Sequence, residues 1–241
     1  MINVDELGAR IIIAFGDGKV FLTESVLWGF IIAAILAVLG IWLGSGLKVK
    51  PTTKRQILAE FIVEKIYAYA KDNLGKDAER YAPYIGTIFL YILFGSSLGL
   101  LGLRPVTADL NVTFSLSILT FLLIQISSIR TLGVRGRIHH LCSPLPLMLP
   151  LNIVEEVTLP VSLGFRLFGN IFGGMVVIEL WMILMEWLSS FVSEIPFMRA
   201  VFVLPLNGFF DIFEPAIQTY IFVTLTMVFL AKGIARGEEG H

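Results

Sequence analysis

Leu159-Pro160-Val161-Ser162-Leu163-Gly164-Phe165-Arg166-Leu167-Phe168-Gly169-Asn170-Ile171-Phe172-Gly173-Gly174 is an apolar stretch with one guanidinium in its middle. No carboxylate lies within two helical turns of Arg166 in the sequence. A guanidinium keeps its proton, so this position is positive at any working pH. Holding such a charge at membrane depth costs about 2.5 kcal/mol or more. A chain tolerates that where the charge faces other protein or a wet cavity. The stretch therefore reads as a membrane helix whose cation has a task.

Composition points the same way. The chain has 241 residues, 56% of them hydrophobic and 15% charged, with a mean hydropathy of +0.83. Soluble domains carry about 25% charged residues, so this is an integral membrane protein facing a lipid bilayer. A net charge of -1 gives no electrostatic case for nucleic acid. The single Cys142 cannot make an internal disulfide. His139 and His140 are adjacent, but no third ligand is spaced to hold a metal, so they read as interfacial polar residues. No cofactor is expected.

Working outward from Arg166, the apolar region from 145 to 194 is more than twice the roughly 20 residues an upright span needs. Pro150 and Pro160 can kink it, so it either folds back or lies steeply tilted. A second such region covers 200–231, with Pro205 and Pro215 inside it, and a polar tail covers 232–241. Upstream, 25–46 is a first span anchored by Trp28 and Trp42, and 84–103 and 110–129 are two more. Between the first two spans, 52–76 is expected to be an amphipathic helix on the membrane surface. Leu58, Phe61, Ile62, Ile66 and Tyr69 share its apolar face, and Lys65 has to snorkel there. Residues 1–24 form an N-terminal external segment in which Phe15-Gly16-Asp17-Gly18-Lys19-Val20 reads as a small hairpin turn. Asp5 and Glu6 stand where a signal peptide has basic residues, so none is expected. The expectation is one all-α polytopic domain, 1–241, with about five membrane-crossing helices, one surface helix and a pair of long tilted C-terminal helices.

Orientation follows from basic residues. Lys48, Lys50, Lys54, Arg55, Lys65, Lys71, Lys76 and Arg80, then Arg130, Arg135 and Arg137, then Lys232 and Arg236 fall on one side. Only Arg10, Lys19, Arg104 and Arg199 fall on the other, which puts the N-terminus outside and the C-terminus in the cytoplasm.

At about 100° per residue, Ser162, Arg166, Gly169, Asn170 and Gly173 lie on one side of their helix. Small residues let another helix approach closely, so something packs near the cation. On the far side Met175, Glu179, Met182 and Glu186 line up, and Glu179 can relay protons or meet a cation. In the last region Asp211, Glu214 and Gln218 are spaced i, i+3 and i+7 on one face. Two acids and an amide aligned in a membrane helix suggest a wet path. Gln218 is placed to approach Arg166, and Asp211 to approach the Glu179 side.

These residues carry a resemblance. Pro160-Val161-Ser162-Leu163-Gly164-Phe165-Arg166-Leu167-Phe168-Gly169-Asn170, Thr107-Ala108-Asp109-Leu110-Asn111-Val112-Thr113 and Ile217-Gln218-Thr219-Tyr220-Ile221-Phe222 resemble subunit a of the bacterial F-type rotary ATP synthase over essentially the whole chain. The resemblance implies a stator subunit beside a rotating ring of c subunits, each with a mid-membrane carboxylate. Its two long helices form a hairpin along that ring. Two offset half-channels open to opposite sides, and Arg166 matches the essential arginine between them. Ser162, Gly169 and Gly173 would face the ring. Glu179, Asp211, Glu214, Gln218, Asn170, Asp109 and Asn111 would line the ion path. Further implied partners are the subunit b peripheral stalk and the other ATP synthase subunits in the bacterial inner membrane. ATP chemistry belongs to those partners, since this chain has no phosphate-cradling glycine loop. Some of the pattern differs. Met175 stands where many members have a polar residue nine positions after the arginine, with Glu179 one turn further. Asp211 stands where some have histidine, and Ser97 where asparagine is frequent. The coupling ion, proton or transiently bound sodium, is set by ring ligands outside this chain. Another polytopic secondary transporter or channel subunit is the alternative, but a carrier with broken helices predicts pseudo-symmetric halves and a midplane substrate site, and the sequence has neither.

Overall fold

A computed structural model describes residues 11–15, 20–48, 53–142, 147, 149–191 and 197–235. The expected hairpin turn at 16–19, residues 49–52 ahead of the expected surface helix, residues 192–196 between the two long regions and residues 236–241 of the tail lie outside the described residues. Two compact units are distinguished within the chain. One draws on 1–33, 91–113 and 165–219, the other on 34–90, 114–164 and 220–241.

The protein is an all-α membrane protein with one small exception at its N-terminal end. β1 (Ile11–Phe15) pairs antiparallel with β2 (Val20–Thr23), with Ile13 opposite Leu22 and Phe15 opposite Val20. Among the described residues, five stretches are long and apolar enough to cross a membrane: Glu24–Gly44, Lys54–Leu101, Leu110–Arg137, Leu149–Ser190 and Pro205–Ile234. α1 (Glu24–Gly44) begins directly after β2, and the Thr23 hydroxyl accepts from the Val26 N–H to cap it. It buries only the stripe Ser25, Gly29 and Ile32.

α2 (Lys54–Leu74) is capped by Thr53, whose side chain accepts from the Gln56 N–H. It stops at Gly75, whose φ of 58° suits glycine and whose N–H closes on the Lys71 carbonyl. Its C-terminal half packs down: Ala70 and Leu74 are buried, Ile66 lies over Gly86, and Tyr69 stacks on Tyr220 at 5.6 Å while its hydroxyl meets Thr224. The N-terminal half leaves Ile57, Leu58 and Phe61 exposed. The Lys65 ammonium sits 5.6 Å from the ring centre of Phe61, one turn earlier on the same helix.

α3 (Ala78–Ser96) starts six residues before the apolar span predicted at 84. Ala78, Tyr81, Ala82 and Ile85 form its buried stripe at helical spacing. It tightens into a 3₁₀ turn, Ser97–Leu101, and ends at Gly102 with φ 70°. A second 3₁₀ turn, Val106–Ala108, leads into α4 (Leu110–Leu141). The basic segment after Ile129, beyond the span expected to end there, is helical on both sides of one break at Gly133 (φ 71°, ψ 165°). Charge marks where lipid ends, not where a helix ends. Only the glycine, free to take positive φ, interrupts the ladder. Beyond it Arg137 turns back. Its guanidinium donates to Gln125 at 2.8 Å and pairs with Glu156, and Gln125 donates to Glu156 at 3.1 Å, closing a triangle.

α5 (Leu149–Ser190) is continuous for 42 residues, which decides between fold-back and tilt in favour of one long helix. At 1.5 Å per residue it is about 63 Å long, roughly twice the hydrocarbon thickness, so it cannot stand upright within the membrane. Pro150 falls in its first turn, where a missing N–H costs nothing. Pro160 lies inside without ending it.

The last region is also unbroken but not uniform. α6 (Phe197–Gly208) runs into a π-helical segment, Phe209–Phe213, and then α7 (Glu214–Ala235). The Glu214 N–H reaches back five residues to the Phe209 carbonyl. Pro215 has no N–H to give the Asp211 carbonyl four residues earlier, and the helix widens there.

Candidate functional site

Arg166 stands on α5 with its side chain exposed, and no hydrogen bond or ion pair to its guanidinium is found among the described residues. Its neighbours on that face are exposed too. Ser162, Gly169 and Asn170 are open, and a Cβ built at Gly169 or Gly173 would meet nothing within 4 Å. A face about a third of a turn away behaves oppositely: Leu163, Leu167 and Ile171 are 2%, 0% and 5% exposed. The helix thus turns an apolar stripe into its own chain and presents small residues and a cation outward.

The polar residues of the last region meet α5 one turn from the cation. The Asn170 amide donates to the Gln218 side-chain oxygen at 3.4 Å. Gln218 is 4% exposed, and its side-chain nitrogen is buried with no acceptor among the described residues. A buried donor without a partner costs about 1–3 kcal/mol, which a water or a transient ligand relieves. One turn before it on α7, Glu214 lies against Gly174, where a Cβ would come within 3.2 Å of the carboxylate and 2.8 Å of the Phe210 ring. So Gln218 and Glu214 both face α5.

Asp211 does not share that direction. It sits inside the π-helical segment, and its carboxylate is seated over Gly99 of the Ser97–Leu101 turn. The three residues expected on one face therefore divide, because the wide turn between Asp211 and Glu214 breaks the 100° step on which that expectation rests. Sequence reading also passed over Gly99, one glycine among 22, with nothing local to single it out. Pro215, four residues after Asp211, was the available signal for the widened turn.

Asp109 and Asn111 occupy a different setting. Asp109 is 5% exposed, and both its carboxylate oxygens are engaged. One accepts from the Thr23 hydroxyl at 2.6 Å, the other from the Asn111 backbone N–H at 2.9 Å. This caps α4 and ties it to the strand that leads into α1. Ser96 and Thr107 join at 2.9 Å nearby. Glu179 is half-buried on α5, 13 residues after Arg166, about 20 Å along the axis. Met182, on its side, is 5% exposed.

Residues 26–231 match the family described as ATP synthase A chain. The chain belongs to the ATP synthase subunit a family. It is 34% identical over 212 residues to ATP synthase subunit a of Moorella thermoacetica, covering 87% of this chain and 88% of that one. It is 30% identical over 228 residues to the Legionella pneumophila (strain Philadelphia 1) subunit a, at 93% and 92% coverage. It is also 32% identical over 217 residues to a Propionigenium modestum protein named ATP synthase subunit a, sodium ion specific, at 82% and 69%. As an ATP synthase subunit a it is a multi-pass membrane component of a complex with other ATP synthase subunits.

Proposed function

We propose that this subunit is the stator half of an ion motor, passing protons or sodium ions to and from carboxylates on a rotating c-ring. The observation that carries the reading is the uncovered face of α5, where Arg166 stands beside Ser162, Gly169 and Gly173 with no counter-ion among the described residues. Small residues bring a ring helix close enough for its carboxylate to meet the guanidinium. Beside a fixed cation a carboxylate prefers to be ionised, so it gives up its ion there. The same charge repels a cation that would cross directly, and flow is obliged to turn the ring. Each charge moved delivers about 2.3 kcal/mol per 100 mV.

Asn170, Gln218, Glu214 and Asp211 are the groups we assign to one half-channel, with Glu179 further along α5. The unpaired Gln218 nitrogen marks a place for water in it. Asp109 and Asn111 are assigned to the framework that holds the start of α4. Basic residues put the N-terminus outside and the C-terminus in the cytoplasm of a bacterial cell. Subunit b and the remaining ATP synthase subunits complete the stator, and ATP chemistry is theirs.

Cross-linking tests the ring-facing assignment. In the whole complex, Gly169→Cys paired with a cysteine beside the ring carboxylate gives an a–c disulfide on mild oxidation. Met182→Cys, from a buried position, gives none. No link from position 169, or equal links from both, contradicts the assignment.

A further inference from the structure

Asp211 and Gly99 come from segments more than a hundred residues apart, yet they fit as a pair. A Cβ added to Gly99 would stand 2.7 Å from the Asp211 carboxyl carbon and 3.3 Å from one of its oxygens. Real Cβ atoms do not approach so closely. The clash could not be relieved at the end of a long side chain, because the carboxyl carbon is only one bond from the Asp211 Cβ. Moving it requires a change of rotamer or a shift of the helix.

The helix has its own reason to hold Asp211 there. The π-helical segment Phe209–Phe213 is closed by the Glu214-to-Phe209 bond, and Pro215 withholds the N–H that would restore ordinary helix at the Asp211 carbonyl. On the other side, the turn carrying Gly99 is locked by two bonds, Gly102 N–H to the Gly99 carbonyl at 2.9 Å and Leu103 N–H to the Leu98 carbonyl at 3.2 Å. Neither partner is free to drift. By contrast Gly208, just before the π-helical segment, has nothing within 4 Å of where its Cβ would be.

We propose that Gly99 is a positioning residue for ion transfer: its missing side chain is the seat of the Asp211 carboxylate. This rests on the reading of Asp211 as part of the ion path. The next acid along the chain is Glu214, which keeps its own seat at Gly174, so a displaced Asp211 is not replaced by its neighbour. A shift of an ångström in a transfer group is enough to change rates by about a hundredfold.

The test uses the whole complex in sealed membrane vesicles and measures ATP synthesis against the concentration of the driving ion. Gly99→Ala raises the ion concentration for half-maximal rate by about tenfold, and Gly208→Ala leaves it unchanged. Asp211→Asn impairs the rate, and adding Gly99→Ala to it produces no further change. If Asp211→Asn is itself without effect, Asp211 is outside the path and the underlying reading is wrong. If Asp211→Asn impairs transfer but Gly99→Ala does not, or if Gly99→Ala acts equally in the Asp211→Asn background, the positioning role alone is overturned. Should Gly99→Ala lower the amount of assembled complex, Asp211→Ala removes the colliding atoms and restores it. Loss that persists in that double variant also overturns the proposal.

Discussion

Residue by residue, the chain uses acids in two opposite ways. Asp109 is held by two hydrogen bonds, at 2.6 and 2.9 Å, and works as a fixed cap. Asp211 and Glu214 rest in seats shaped by glycines. Replacing Asp109 by Ala removes a cap worth about 1 kcal/mol and leaves the Thr23 hydroxyl without its acceptor. The expected outcome is less assembled complex in the membrane, seen by quantitative immunoblot, with the rate of ATP synthesis per assembled complex unchanged. A fall in that specific rate would return Asp109 to the ion path. Arg166 was legible from the start, because a charge in an apolar run needs no neighbours to be conspicuous. The two roles of aspartate were not, since composition and spacing do not say which oxygens are already taken.

Elements were read well where hydropathy governs them and less well where it does not. The Arg166 helix and the last region stood out as apolar runs, and Tyr69 and Lys65 fall in one helix as the spacing predicts, Tyr69 against Tyr220 and Lys65 beside Phe61. Helix continuity was hidden. Pro160 neither breaks α5 nor shortens it, and the basic segment after Ile129 stays helical up to Gly133. Backbone bonds continue through a proline when packing holds the flanking turns, and a sequence does not display that packing. The π-helical segment is the clearest case, one extra residue that redirects Asp211 while leaving the hydrophobic pattern intact. Pro215→Ala gives the Asp211 carbonyl its missing donor and favours ordinary helix, which rotates Asp211 by about 100° relative to α7. We expect assembly to be kept and ATP synthesis per complex to fall about tenfold. A variant as fast as the parent would show that the wide turn is not needed for transfer.

For the molecule as a whole, the notable property is how little of its membrane-length helices the chain covers by itself. Only 11% of the most apolar part of α1 is buried, and only 22% of that of α5. Lipid can cover leucine and phenylalanine, but it is a poor solvent for the guanidinium of Arg166. The proposed ring supplies what lipid cannot, a carboxylate that arrives, pairs and leaves. The most direct measurement is ATP synthesis driven by an imposed ion gradient in vesicles holding equal amounts of parental and Arg166→Gln complex. The account predicts a loss of at least about a hundredfold, as when a fixed electrostatic partner is removed from a reaction centre. Synthesis at the parental rate with glutamine at position 166 would contradict it.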